Sequence, residues 1–366
     1  MQSNNTNSVI SPFLDFLLLG GASLIIFPLV MYLFPTPTLI TFKILPLFLV
    51  IIFFLDYLAN FPHFAYSYQL MYQDFSKKIT GIIDAPLQYR YLFAGIVVPV
   101  LMTAFFILGY LQNSTLLLKQ AVNVMLLTAG WHYAKQGFGI LIVTSIYKKI
   151  FYSAWERRIL LFNAHLLWIY AWIMFNTGSK EKVYFGIPFS TLGFPAAIER
   201  ILTYAVCLST AYLFFTFFRR YRKESVLPPL NGATAYMASV YLWIILRFGV
   251  GFDSAIHPIV LLIPFMHSIQ YIAIVLRMKN NEIVHGRISR TAFLIFIIFG
   301  ILIGALIFDA IPGLLDKQIP YNKSIYGTTL FMFMFWIFIN IHHYFIDNVI
   351  WRREASEVKQ YLYSAL

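Results

Sequence analysis

Eight histidines occur in this chain, and several sit inside segments that otherwise read as lipid-soluble helices. The clearest are Trp131-His132, Met266-His267 and the adjacent pair His342-His343, the last followed by Asp347. An ionisable group at membrane depth is costly unless it faces an interior cavity, a partner or a metal. Several at similar depth point to one shared site. Neutral imidazole ligates iron, copper and zinc. The single cysteine, Cys207, leaves no thiolate cluster and no intrachain disulfide. The chemistry indicated is that of a histidine-held metal. Iron or copper suits the donor set best; zinc also fits, and haem held by two of the histidines is a further alternative.

The elements that must position these rings follow from composition. The 366 residues are 60% hydrophobic, 19% aromatic and only 11% charged, against about 25% charged in soluble domains. The expected fold is all-α, one polytopic membrane helix bundle over residues 1–366. Apolar runs long enough to cross the hydrocarbon core fall at 12–34, 39–59, 91–111, 118–146, 159–175, 196–218, 233–250, 256–276, 291–308 and 325–350, which gives about ten spans. The aromatic-rich segment 61–75, beginning at Pro62 and running into Lys77-Lys78, reads as a short interfacial helix. No positive charge precedes the first apolar run, so that run is expected to persist as the first span.

The net charge of +12 is spread over short loops, and no Gly-rich phosphate loop, zinc knuckle or RNA-binding aromatic motif accompanies it. Nucleic acid is therefore not an expected partner. Of the 27 basic residues, alternate loops place eighteen on one side and seven on the other, with Lys135 and Arg247 inside spans. By the positive-inside rule the richer side is cytoplasmic. This predicts a multi-pass protein of the cell membrane with both termini in the cytoplasm.

At 1.5 Å per helical residue, His165, His267, His342 and His343 lie roughly 10–15 Å from the basic end of their spans and His132 roughly 24 Å, before tilt. His63 follows the second span on the same side, while His257 and His285 fall elsewhere. The expected metal ligands are His63, His132, His165, His267, His342, His343 and Asp347. Asn340, His343 and Asp347 share one stripe; so do His132, Lys135 and Gln136; so do His267, Gln270 and Tyr271; and so do Asn60, His63 and Ser67. Asn340, Gln136 and Gln270 are thus expected to orient ligands, and Lys135 and Tyr271 to act on the substrate. Each has a plainer reading. A lone membrane histidine such as His165 is more often a packing residue, and Lys135 can be one half of a buried ion pair. His342-His343 with Asp347 is harder to satisfy by packing alone.

At these residues the chain resembles the integral-membrane, histidine-rich di-iron oxygenases, the desaturases and hydroxylases of fatty acids, alkanes and carotenoids. Those families hold two irons near the cytoplasmic face with H-x-x-x-H and H-x-x-H-H boxes. This chain has no such box, so one ion, or two sharing Asp347 with Asp56 or Asp74, fits better. A lesser likeness is to haem-copper oxidases, in His267-Ser-Ile-Gln-Tyr271 and His342-His343, without that family's proline and glutamate or its double-histidine haem helix. The resemblance implies a metal-dependent oxidoreductase acting on a lipid-like, apolar small molecule from the membrane lipid, fed by a separate electron donor. The rival expectation is a proton- or ion-coupled transporter, for which Asp253, His257 and Asp309 would complete a path to the outer side.

Overall fold

A computed structural model describes residues 8–33, 39–81, 85–242, 244 and 258–363. His257, Asp253 and Arg247, named above, lie outside the described residues. We label α1 Pro12–Leu33; α2 Leu39–Leu55 continued through Asp56–Asn60 to Phe61–Tyr72; α3 Phe75–Thr80; α4 Ala85–Leu111; α5 Thr115–Tyr147; and α6 Ala154–Phe175. A β-hairpin follows (β1 Glu181–Tyr184, β2 Ile187–Ser190), then α7 Ala196–Glu224, α8 Leu230–Val240, α9 Pro258–Val284, α10 Arg290–Gln318 and α11 Leu330–Ile350.

Among the described residues seven helices are long and apolar enough to cross a membrane: α1, the Pro46–Tyr72 part of α2, α4, α6, α7, α10 and α11. Of the three other apolar runs, 118–146 falls within α5 and 258–276 of the third within α9, while α8 covers 233–240 of the run 233–250, whose remainder lies mostly outside the described residues. The α5 helix dilutes its hydropathy with Asn123, His132, Lys135 and Gln136, of which Asn123 and His132 are buried in protein rather than set against lipid. The hairpin departs from a purely helical chain. Its two-residue turn puts both Phe185 and Gly186 at positive φ (45° and 74°), the backbone that matches strand twist. Ile187 and Phe189 then pack under α11 with Leu330 and Phe333.

Segment 61–75 differs from the expected interfacial helix. Residues Phe61–Tyr72 continue α2 without a break, and nine of the twelve are buried. The cause is local. Pro62 lacks an N–H and its ring crowds the carbonyl four residues back, so the helix widens into a π-turn over Asp56–Asn60 and carries on. The same device recurs at Phe93–Val97 before Pro99 and at Leu306–Ala310 before Pro312. Carbonyls loosened in this way need other donors in an apolar medium. His342 Nε2 donates to Ala94 O (2.8 Å), Tyr72 Oη to Gly95 O (2.8 Å) and Trp336 Nε1 to Phe308 O (3.1 Å).

Two glycine features seat the central helices. Gly300 and Gly304, spaced G-x-x-x-G on α10, let α2 approach so closely that a Cβ on Gly304 would lie 2.7 Å from the Phe61 backbone. Gly20 kinks α1 at φ 147°, which a side chain would oppose, and rests on Ala238 of α8. That kink turns the Leu19 carbonyl toward α9, where Gln270 Nε2 donates to it at 2.7 Å.

Candidate metal centre

Four imidazoles from four helices meet at the centre of the bundle: His63 (α2), His132 (α5), His267 (α9) and His343 (α11), all buried. Their ring centroids lie 4.5 Å (63–343), 4.6 Å (132–343), 4.7 Å (132–267), 5.1 Å (63–267) and 6.1 Å (63–132) apart. One nitrogen each from His63, His132 and His343 falls within 4.8 Å of the others. The continuous α2 explains why His63 joins. It lies nine residues before Tyr72, about 14 Å from that helix end at 1.5 Å per residue, which matches His267 and His343.

Hydrogen bonds outside the cluster fix which nitrogen each ring turns inward. Ser67 Oγ donates to Phe64 O (2.8 Å), so its contact with His343 Nδ1 (2.7 Å) takes the proton from the ring. Ser268 Oγ spends its proton on Pro264 O (2.7 Å) or on Asn60 Oδ1 (3.1 Å), so His63 Nδ1 is the donor in their 3.2 Å contact. A neutral imidazole has one donor and one acceptor. Both rings therefore present an Nε2 lone pair to the centre, and His63 Nε2 has no partner there. His343 Nε2 faces His132 Nε2 at 3.1 Å, a contact that needs a proton or a cation between the atoms. Two nitrogens that far apart, each about 2.0–2.1 Å from one ion, subtend about 100° at it, between the octahedral and tetrahedral angles. His267 stacks on Tyr133 (4.0 Å, 27°) and leaves both ring nitrogens buried without a hydrogen bond. Unmet imidazole nitrogens are costly in a protein interior, and one cation among the rings of His63, His132 and His343 would satisfy that of His63.

Asp347 lies one helical turn beyond His343. Its Oδ2 is 3.5 Å from His343 Nε2 and 3.8 Å from His132 Nδ1, and its Oδ1 accepts from Tyr271 Oη at 3.2 Å. The carboxylate could thus supply the negative charge that a divalent ion needs, and Tyr271 holds its orientation. Lys135 Nζ donates to Asn348 Oδ1, not to a carboxylate. Gln136 Nε2 donates to His267 O (2.9 Å) and to Gln270 Oε1 (3.1 Å), tying α5 to the α9 turn that carries His267.

Three expected residues stand apart. His342 accepts from Tyr68 Oη at Nδ1 (2.8 Å) and donates from Nε2 to Ala94 O, so both nitrogens are spent. Adjacent helical residues point about 100° apart, and only His343 of the pair faces the centre. His165 hydrogen-bonds Leu161 O (2.7 Å) and stacks on Trp131 (4.0 Å), a packing role. Asn340 donates to Trp336 O of its own helix. Neither expected second carboxylate approaches: Asp74 pairs with Lys77 (2.9 Å) and Arg287 (3.6 Å), and Asp56 lies two helical turns from His63, beside Asn60. Ser268, Tyr133 and Tyr68 escaped the sequence reading because serine and tyrosine carry no signal in an aromatic-rich chain. A cavity of about 280 Å³ opens beside the cluster, bounded there by His132, Tyr271 and Asp347. Comparison with known proteins finds no matching family model, no matching curated protein and no matching solved structure.

Proposed function

We propose that this chain is a membrane-embedded, metal-dependent oxidoreductase of the oxygenase, desaturase or hydroxylase kind, acting on a lipid-like apolar molecule. The observation that supports the reading is the convergence of the His63, His132 and His343 rings on one point beside Asp347, with the unmet nitrogens of His63 and of the adjoining His267. The donor set of nitrogens and one carboxylate suits iron, and a single ion matches the compactness of the group. When bound, such a metal supplies redox chemistry toward dioxygen, which like the substrate partitions into the bilayer. The chain's own residues do the rest. Ser67 and Ser268 hold the tautomers of His343 and His63, Tyr271 holds Asp347, and the apolar walls exclude water from the reacting carbon.

In this reading all ten apolar segments cross the cell membrane, with the basic loops and both termini in the cytoplasm and the site in the inner half of the bilayer. A separate donor delivers electrons from that side. Haem is not favoured, because the four rings touch one another and leave no slot for a macrocycle. One observation favours the transporter reading instead. A polar line runs from Asp56 through Asn60 and Ser268 to His63, and Tyr57 on the same turn donates to Asp309. Metal analysis of the detergent-purified protein, with His343→Ala as control, separates the two. Iron that the variant loses supports the enzyme; metal-free protein with proton-coupled uptake supports the transporter.

A further inference from the structure

The cavity beside the histidines has a polar end and an apolar body. On α5 its wall is the face His132, Lys135, Gln136, Gly139, Ile140 and Val143, an i, i+3, i+4 series that runs about 16 Å along the helix. Ile142, Ile274 and Leu362 make the body apolar. At about 280 Å³ it sits at the lower edge of small-ligand sites, room for one hydrocarbon chain rather than a two-chain lipid.

Its charges are one-sided. Asp347 is the sole carboxylate of the lining and is turned to His132, His343 and Tyr271. Lys135 and Arg353 line the cavity, and Arg352 Nε donates to Asn348 O (3.2 Å) on its rim. Among the described residues none of these three cations forms a direct ion pair with a carboxylate, although the Asp347 charge acts on Lys135 from farther off, and of the three N–H groups of Lys135 one is met, by Asn348 Oδ1. Arg353 is exposed, so an anion reaches it from outside the bundle.

We infer that the cavity holds a single-chain amphiphile with an anionic head, its tail between α5 and α9 and its head among Lys135, Arg352 and Arg353. The inference rests on the function proposed above only in making that amphiphile the substrate; occupancy of the cavity stands by itself. Binding is measured on the full-length protein in zwitterionic nanodiscs, with palmitic acid, lysophosphatidic acid, hexadecanol and cetyltrimethylammonium as probes. One charge-assisted contact corresponds to about tenfold in affinity. Palmitic acid or lysophosphatidic acid, whichever carries the matching head, is expected to bind about tenfold more tightly than hexadecanol, and the cation more weakly still. Arg353→Gln, at an exposed position, is expected to weaken that preference while leaving hexadecanol binding unchanged. Ile142→Trp is expected to weaken every probe by filling the tail space. Equal binding of acid and alcohol, or acid binding indifferent to Ile142→Trp in a protein that remains monodisperse, overturns the proposal. Metal content is read in parallel. Acid selectivity without metal keeps the cavity and sinks the oxidoreductase; metal without selectivity does the reverse.

Discussion

Replacing His267 with phenylalanine is expected to change stability in opposite directions with and without metal. The ring keeps its stack on Tyr133, 4.0 Å away, and its edge contacts with His63 and His132. What disappears are two buried nitrogens that no group among the described residues satisfies. Each unmet buried polar group costs about 1–3 kcal/mol, and membrane interiors sit toward the low end. Stripped of metal, His267→Phe is therefore expected to be more stable than wild type by about 2 kcal/mol. With metal, wild type gains about 4 kcal/mol at a ligand concentration a thousand times its Kd. A variant lacking one ligand and binding a hundredfold more weakly forfeits about 2.7 kcal/mol of that gain. The two curves cross. The assay is thermal unfolding of both proteins in one detergent, chelated and then metal-loaded. A variant less stable than wild type by the same margin in both conditions would refute the argument, because His267 would then be a packing residue with hidden partners.

Other residues give sharper local tests. Ser67→Ala removes the acceptor that fixes His343 Nδ1–H, and metal affinity should fall by about 10- to 100-fold in competition with a chromophoric chelator. His342→Phe leaves Ala94 O and Tyr68 Oη without their partner; unfolding stability should drop by about 1–3 kcal/mol while metal content is unchanged. Glu357 fastens the C-terminal segment, 3.5 Å from Lys78 and 3.8 Å from Arg287. Burial pushes its carboxyl up, but those cations and the Ser356 hydroxyl together pull it further down, so it ends below the usual carboxylate range. A depressed carboxyl stabilises the fold above its unfolded value and loses that contribution as pH falls through its folded one. The unfolding temperature of wild type should therefore exceed that of Glu357→Gln at neutral pH, and the gap should close as pH drops below about 4.3.

The sequence made the membrane bundle and most of the centre legible because imidazole in an apolar run is expensive and therefore conspicuous. His132, His267 and His343 stand out as imidazoles inside apolar runs with a polar neighbour on the same face, although depth does not separate them from His165 and His342, and Asp347 stands out by its i+4 spacing from His343. His63 groups with the other rings in both readings, but the sequence suggests the wrong kind of element for it. Pro62 reads as a helix start in one dimension, and only a π-turn lets α2 run through it. His342 and His165 show the opposite failure. A local apolar sequence cannot reveal a carbonyl freed on another helix, so the partner of His342, loosened by Pro99 some 240 positions away, was invisible. The Pro99 and Pro312 spacings were nonetheless in the sequence. A search for donors opposite each membrane proline would have reassigned His342 and explained Trp336. The count of spans suffers for a related reason. Hydropathy measures affinity for lipid, whereas α5 turns His132 and Asn123 toward protein.

The most direct test of the central claim is X-ray absorption at the metal edge of the purified protein, wild type beside His63→Ala and His132→Ala. The account expects three or four imidazole nitrogens at about 2.0–2.1 Å, with one lost in each variant. A first shell without imidazole, or one that neither substitution alters, would show that the four rings pack against one another and hold nothing.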